Sequence, residues 1–342
     1  MKYKGINYDV GTTTTTGRTT RPVFETDIVA REIDIIKNEL HCNAIRISGI
    51  SIERVAIAAE IALKAGLTIW FAPSLTYNNQ DNTIKFITDA AKAAEALRLK
   101  FSNMVFVLGC ELTLFTAGFV DGFTAEERMK HLFSPVSLLL NAIGLRRGYN
   151  RRLNKFLLKS IVEVRKVYHG PITYASGAWE KVDWQIFDMI GVDYYRSVFN
   201  EKTFLKQLQQ YTKLGKPLCI MEFGCCSFKG AAEKGAMGWA IADWKKEIPA
   251  IKGNHTRDEQ VQSDYIISLL EIFNGEAVHA AFVFTFVMYS YYHDHRPAYD
   301  MDMASFGIVK VTGNEDQDEY RGLPWLPKKA FYALARFYSA HQ

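Results

Sequence analysis

The sequence predicts a single (β/α)8 TIM barrel, and three observations support this fold. Eight short, apolar runs alternate with longer segments whose apolar residues recur at helical spacing. The runs are mostly apolar and do not alternate with polar residues, as in parallel strands buried on both faces. The chain has 342 residues, and a typical barrel of this kind needs roughly 250, so long loops are expected as well. Alternating strands and helices favour a parallel sheet, and eight units favour its closure.

The predicted strands are apolar runs that turn residues bound on both sides. They are Tyr3–Asn7, Asn43–Ser48, Leu67–Ala72, Met104–Leu108, Pro171–Ala175, Met189–Asp193, Pro217–Met221 and His279–Phe286.

The predicted helices lie between these runs. Ile28–Leu40 carries a stripe of isoleucines with Asp27 available as a cap, and Ile52–Ala65 ends before Gly66, a residue suited to a left-handed helix terminus. Five further segments show helical spacing: Thr83–Leu97, Phe156–Tyr168, Phe204–Leu214, Gln260–Phe273 and Pro327–His341.

We expect one catalytic domain over residues 1–342, with a helical insertion at about 112–152 and further long loops after strands seven and eight. Within the insertion, Ala125–Leu145 has helical spacing. Four arginines follow it, and they favour a solvated helix end over an anion site: Arg146, Arg147, Arg151 and Arg152.

Composition excludes several classes of protein. A hydrophobic fraction of 48% excludes intrinsic disorder. The longest apolar run, Ala280–Met288, is about half of the ~18 residues that a membrane span needs. A net charge of +4 is too small to indicate a nucleic-acid or membrane partner. Five cysteines, mostly within apolar runs, and an N-terminus without a signal-peptide pattern predict a cytoplasmic protein with reduced thiols.

In a (β/α)8 barrel, the residues just past the carboxyl ends of the strands line the active site. Two glutamates stand out there, because Glu111 follows strand four and Glu222 follows strand seven. A carboxylate at the end of an apolar strand is costly to bury unless it is paired or used. Two carboxyl groups at one mouth suit glycoside hydrolysis, and a separation of ~5–5.5 Å would imply a covalent intermediate and retention of configuration.

Together these features resemble the large clan of retaining TIM-barrel glycoside hydrolases, which have a glutamate after strand four and another after strand seven. The resemblance implies that Glu111 is the acid/base and Glu222 the nucleophile. It also implies that Arg46, in the run Ala-Ile-Arg-Ile-Ser, lies near the nucleophile, and that Tyr194 or Tyr195 donates a hydrogen bond to it. Two positions differ from the clan: Cys110 replaces an asparagine, and strand eight lacks a tryptophan.

Three other segments are similar to bacterial proteins labelled abortive phage infection proteins. They begin at Lys4, Leu40 and Tyr299. That label names a phenotype and no chemistry, so it leaves open a non-catalytic sugar-binding or defence protein.

The predicted substrate is an oligosaccharide or another glycoside, bound without a cofactor or metal; oligomeric state is left open. Candidate sugar contacts are Asn7, Asp9, Asp193, Trp179, Tyr289 and His293. Transglycosylation on the same site is a close variant. A rival hypothesis is a metal-dependent hydrolase at His293 and His295, since Asp300 and Asp302 follow them. A cysteine nucleophile at Cys110 or Cys225 lacks a well-placed histidine.

Overall fold

The structure is a computed structural model that describes residues 1–13, 17–134, 136, 148–313 and 320–341. Eight parallel strands form one sheet. They are β1 (Tyr3–Asp9), β2 (Ala44–Gly49), β3 (Thr68–Pro73), β4 (Met104–Cys110), β5 (Ile172–Ala175), β6 (Ile190–Asp193), β7 (Leu218–Phe223) and β8 (Ala280–Val283). Each coincides with a predicted strand to within three residues at either end.

The sheet closes into a barrel. Its ladders run in the order β5, β4, β3, β2, β1, β8, β7, β6. β5 and β6 share fewer backbone hydrogen bonds than the strands of the ladders do. The Ser176 N–H donates to Gly191 O at 3.0 Å, and Ser176 O accepts from the Asp193 N–H at 2.9 Å. The predicted (β/α)8 barrel is therefore confirmed.

In the described part of the chain, seven helices surround the strands: α1 (Thr26–Asn38), α2 (Ile52–Lys64), α3 (Gln80–Phe101), α4 (Gly148–Arg165), α5 (Phe204–Thr212), α6 (Glu259–Gly275) and α7 (Lys329–Ala340). Gly66 has a φ of 81° directly after α2, as its predicted role requires. The prediction that Asp27 caps α1 is wrong. The helix begins at Thr26, so Asp27 lies within its first turn, and Glu25 occupies the N-cap position.

The alternation of strand and helix fails once. Between β5 and β6, where every residue is described, the only helical element is a 3-10 turn at Trp184–Ile186. The interval between these strands is 14 residues long, close to the minimum of about a dozen that a crossover connection needs. Helix α4 also begins at Gly148, eight residues before the predicted start at Phe156.

The insertion between β4 and α4 holds two short helices, Leu112–Phe115 and Ala125–Phe133. Most of the predicted helical stretch after Phe133, together with Arg146 and Arg147, lies outside the described residues. The loops after β7 and β8 each contain a small hairpin: Ala242–Asp243 pairs with Ala250–Ile251, and Val309–Val311 pairs with Trp325–Pro327.

The interior of the barrel is filled with side chains, which gives the site a solid floor. Trp70 of β3 and Phe282 of β8 pack with ring centroids 4.8 Å apart. Gly5 of β1 leaves room for them, because a Cβ there would lie 2.4 Å from the Phe282 ring. A larger apolar layer packs between the strands and the helices. Among the described helices, none combines the length and apolarity that crossing a bilayer would require.

Candidate active site

A cavity of about 230 Å³ opens at the carboxyl ends of the strands. Five residues predicted for the site line it: Asn7, Asp9, Arg46, Glu111 and Glu222. Parallel strands end at one rim of a barrel, so residues far apart in sequence meet there. The structure thus brings both glutamates to the same cavity.

Glu222 ends β7 in a cationic and hydrogen-bonded setting. Arg46 Nη1 lies 2.6 Å from Glu222 Oε1, and Arg46 is only 3% exposed. The Tyr195 hydroxyl donates to the other oxygen, Oε2, at 3.3 Å. A charge-assisted bond of this kind fixes the carboxylate and compensates its charge.

Asn7 holds Arg46 in place. Its side-chain oxygen accepts a hydrogen bond from Arg46 Nη1 at 2.8 Å, and its amide donates to Met221 O at 2.9 Å. Asn7 and Arg46 are partners in the register of β1 and β2. The arginine that faces Glu222 is therefore oriented by the neighbouring strand.

Glu111 has a different environment. It follows β4, is only partly exposed, and has a left-handed backbone with φ 45° and ψ 44°. Burial raises the pKa of its carboxyl well above the ordinary value, and the negative charges of Asp193 and Glu222 add to this effect. A carboxyl group whose pKa is raised in this way suits a general acid.

Cys110 lies between two acidic side chains. Its Sγ is 3.5 Å from both Asp193 Oδ2 and Glu222 Oε1. Burial raises the pKa of the Cys110 thiol well above its usual range, and the neighbouring carboxylates raise it further. These three side chains offer donor atoms within 4.8 Å of one another. A metal would need the thiolate, which this setting disfavours, and Arg46 already supplies the positive charge.

Asp193 reaches this cluster from the end of β6. It is 3% exposed, and its Oδ1 has no hydrogen-bond partner among the described residues. Burial raises the pKa of Asp193 well above its ordinary value, with Glu222 as the next cause. Asp9, in contrast, lines the cavity directly and accepts a hydrogen bond from Gly11 N at 2.9 Å.

Of the two candidate tyrosines, the structure brings only Tyr195 to Glu222. Tyr194 turns outward, donates its hydroxyl to Phe204 O at 2.6 Å and packs against the Phe204 ring. Trp179 lies beside the insertion, where its Nε1 donates to Thr113 Oγ1 at 2.9 Å.

The loop after β8 places the remaining candidates elsewhere. His293 Nδ1 lies 3.0 Å from Asp300 Oδ1. Arg257 pairs with Asp300 at 2.9 Å and with Asp302 at 2.8 Å, and Lys328 pairs with Asp302 at 3.1 Å. The carboxylates that the metal hypothesis requires are thus neutralised by cations. This geometry indicates a structural ion-pair cluster.

A second cavity, of about 920 Å³, adjoins the first, and Ser290 lines both. Its walls include the aromatic side chains of Trp244, Tyr289 and Tyr292. The predicted contact Tyr289 therefore belongs to this larger cavity, where its hydroxyl donates to Glu32.

Two buried acidic residues near the cavities do not feature in the sequence predictions. Glu180 follows β5 in an irregular loop, and no spacing in the sequence marks it. Glu32 is fully buried on α1. The helical spacing of the sequence could have indicated that Glu32 is buried, because Glu32 lies in the apolar stripe of α1, four residues after Ile28 and four before Ile36.

Residues 149–307 match the sequence model of Glycoside Hydrolase Family 113. The matched part is a little under half of the chain, and it contains β5 to β8 with Asp193, Tyr195 and Glu222. The resemblance to TIM-barrel glycoside hydrolases and the predicted class of enzyme, a glycosidase, are thereby confirmed. No curated protein matches the chain. The resemblance to abortive phage infection proteins has no counterpart among these findings and stays a prediction.

Several solved structures share the fold. A Family 113 β-1,4-mannanase is 15% identical, with 99% of this chain and 100% of that one covered and a TM-score of 0.63. A Family 113 β-mannanase from Alicyclobacillus acidocaldarius is also 15% identical, with coverages of 100% and 99% and a TM-score of 0.63. Fpglu1 from Fervidobacterium pennivoraus is 11% identical, with coverages of 93% and 84% and a TM-score of 0.51. At these identities the likeness establishes the shared barrel.

Proposed function

We propose that the protein is a retaining glycosidase in which Glu222 is the nucleophile and Glu111 the acid/base. One observation carries the proposal: both carboxyl groups line one cavity but lie in opposite electrostatic environments. Arg46 and Tyr195 compensate the charge of Glu222, whereas burial and anionic neighbours raise the pKa of Glu111 well above its ordinary value. Pairs of titratable groups divided in this way identify an acid and a base.

The reaction then has two steps. In the first, a Glu222 oxygen attacks the anomeric carbon, the bond to the leaving oxygen breaks, and Glu111 gives that oxygen its proton. In the second, water attacks the anomeric carbon of the glycosyl-enzyme, Glu111 takes a proton from the water, and Glu222 leaves as a carboxylate. Two inversions give overall retention.

Arg46 and Tyr195 support the nucleophile in this scheme. Their bonds to opposite oxygens of Glu222 fix the plane of the carboxylate before attack. They also receive the carboxylate again when the intermediate breaks down, so the second step needs no reorganisation of the site.

For the substrate, we propose an oligosaccharide that extends beyond the small cavity. The adjoining cavity is about four times larger and has aromatic walls, on which the apolar faces of pyranose rings can stack. The names of the β-1,4-mannanases that share the fold make β-1,4-linked manno-oligosaccharides the first substrates to test. Asn7, Asp9 and Asp193 remain proposed contacts of the reacting sugar, and Tyr289 of the next units.

The proposed location is the cytoplasm. Four of the five cysteines are buried among apolar side chains, which suits thiols that stay reduced. The substrate would then be a glycoside that is imported or made inside the cell.

A panel of aryl glycosides, pyranosides and furanosides in both anomers, together with manno-oligosaccharides, tests the activity. On the sugar that is cleaved, we expect Glu222→Ala to lower kcat by on the order of 10⁴-fold or more and Glu111→Ala by about 10²–10⁴-fold. Azide should restore turnover of an activated aryl glycoside by Glu222→Ala. Glu60→Ala, an exposed glutamate on α2, is the matched control and should keep full activity.

Two outcomes would overturn the proposal. One is a wild-type protein that cleaves no glycoside in the panel. The other is turnover that survives both substitutions, which would favour the sugar-binding or defence alternative. Product analysis with excess acceptor alcohol then separates hydrolysis from transglycosylation.

A further inference from the structure

We propose that Glu180 is a positioning residue that holds Glu111 in place through the backbone turn that follows it. This inference rests on the proposed function, since it assigns a partner to the proposed acid/base. Glu180 itself does not line the described part of the catalytic cavity, so it acts through other groups.

The backbone at Glu111 needs such support. Its φ of 45° places a non-glycine residue in the left-handed region, which L-amino acids adopt only when their surroundings hold them there. The helical turn Leu112–Phe115 begins directly afterwards. The first N–H groups of a helix have no partner within it, so something outside the turn must accept them.

The N–H groups of Leu112 and Thr113 are hydrogen-bonded to the Glu180 carboxylate, one through Tyr174 and the other directly. Glu180 Oε1 accepts from the Thr113 N–H at 3.1 Å and from the Thr113 hydroxyl at 2.6 Å. The Leu112 N–H donates to the Tyr174 hydroxyl at 2.8 Å, and that hydroxyl donates to Glu180 Oε2 at 2.8 Å. Both residues after Glu111 are therefore fixed by one carboxylate, directly or through Tyr174.

Glu180 is itself rigidly held. It is 5% exposed, and Oε2 also accepts from the Gly177 N–H at 3.3 Å. The Trp179 indole donates to the Thr113 hydroxyl, which leaves that hydroxyl free to donate to Glu180. Burial raises the pKa of Glu180 to about 6, so the carboxylate that these donors require is present at pH 7 and above.

Glu180 also contributes charge at Glu111. Four charged groups act on the Glu111 carboxyl: Asp193, Glu222 and Glu180 raise its pKa, and Arg46 lowers it. Replacing Glu180 by a neutral residue removes one anion. The pKa of Glu111 should then fall, and the activity that requires its protonated form should be lost at a lower pH.

The test compares two aryl glycosides of the sugar that wild type cleaves, one with a phenyl and one with a 2,4-dinitrophenyl leaving group. Departure of phenolate needs a proton from the acid, whereas dinitrophenolate leaves without one. In Glu180→Gln we expect kcat/KM for the phenyl glycoside to fall about 10- to 100-fold, because a displaced acid transfers its proton poorly. The dinitrophenyl glycoside should lose less than about threefold, and the alkaline limb of the phenyl pH profile should move to lower pH.

Thr116→Val is the matched control. It removes a buried hydroxyl from the same segment, one that has no hydrogen-bond partner among the described residues, and it should change neither rate. If Glu180→Gln fails to fold, as thermal melting would reveal, Thr113→Val must show the same split between the two leaving groups.

Equal losses on both glycosides, or no loss on either, would overturn the positioning role while leaving the glycosidase proposal intact. A wild-type protein without glycosidase activity would overturn both.

Discussion

At the scale of single residues, the two carboxyl groups differ in the charges that surround them. Glu222 has a buried arginine 2.6 Å away. Glu111 has no comparable partner among the described residues, and burial opposes its charge. We therefore expect the environment of Glu111 to affect the pH dependence of the free energy of unfolding.

We predict that Glu111→Gln stabilises the fold at pH 8. The folded-state pKa of Glu111 lies above its unfolded value, so the wild-type side chain costs nothing below the unfolded pKa and becomes destabilising as pH rises from that value towards the folded-state pKa. The neutral amide should gain about 0.5–2 kcal/mol in the free energy of unfolding at pH 8 and almost nothing at pH 3, below the unfolded pKa of about 4.3. Urea unfolding at both pH values measures this; an equal gain at both would show that the carboxyl is not protonated in the fold.

At this scale, a sequence can place residues whose position follows from the strand that carries them. Glu111 follows β4 and Glu222 lies near the end of β7, whereas Arg46 and Asn7 lie within β2 and β1, and all four line one cavity. The sequence could not distinguish Tyr194 from Tyr195 as the partner of Glu222. The register of β6 against β7 shifts at the carboxyl end of β6, and this shift breaks the alternation of side chains between the two faces.

At the scale of elements, one buried carboxylate ties helix α1 to three other parts of the chain. Glu32 accepts from Tyr8 at 2.5 Å, Arg21 at 2.9 Å and Trp325 at 2.8 Å, and from Tyr289. These bonds join β1, the first loop and the segments after β8 behind the larger cavity.

Glu32→Ala should destabilise the protein by about 3–5 kcal/mol, since it leaves Arg21 as a buried, unpaired charge. Chemical denaturation measures the loss. Glu60→Ala, which breaks an exposed ion pair with Lys64 on α2, serves as its control and should leave stability unchanged. A small effect at Glu32 would mean that water replaces its contacts and that the cluster does not hold the elements together.

Loops limit what the sequence predicts at this scale. The strands and helices follow from periodicity, but Glu180 and the cluster around His293 lie in irregular connections. Their contacts depend on where those connections fold back, which no local pattern specifies.

At the scale of the whole molecule, the β5–β6 contact closes the barrel with few hydrogen bonds. Gly191 lies at this closure, and a Cβ on it would stand 2.2 Å from Tyr174 O. The absence of a side chain thus permits the two strands to meet.

We predict that Gly191→Ala lowers the free energy of unfolding by about 1–3 kcal/mol, because the strands must separate to admit the methyl group. Gly275→Ala provides the comparison, since a Cβ there meets nothing within 4 Å. Thermal melting of the two variants should show a lower Tm only for Gly191→Ala. Equal melting temperatures would indicate that β5 and β6 can move apart at Gly191 without loss of stability.

The proposed mechanism requires Glu222 to form a covalent bond to the sugar. Its most direct test is to incubate the protein with the 2,4-dinitrophenyl 2-deoxy-2-fluoro derivative of the sugar it cleaves, then digest it and locate the label by mass spectrometry. We expect one fluoroglycosyl group per chain, attached to Glu222, with release of dinitrophenolate. A label on Glu111 or Asp193, or inactivation without any label, would contradict it.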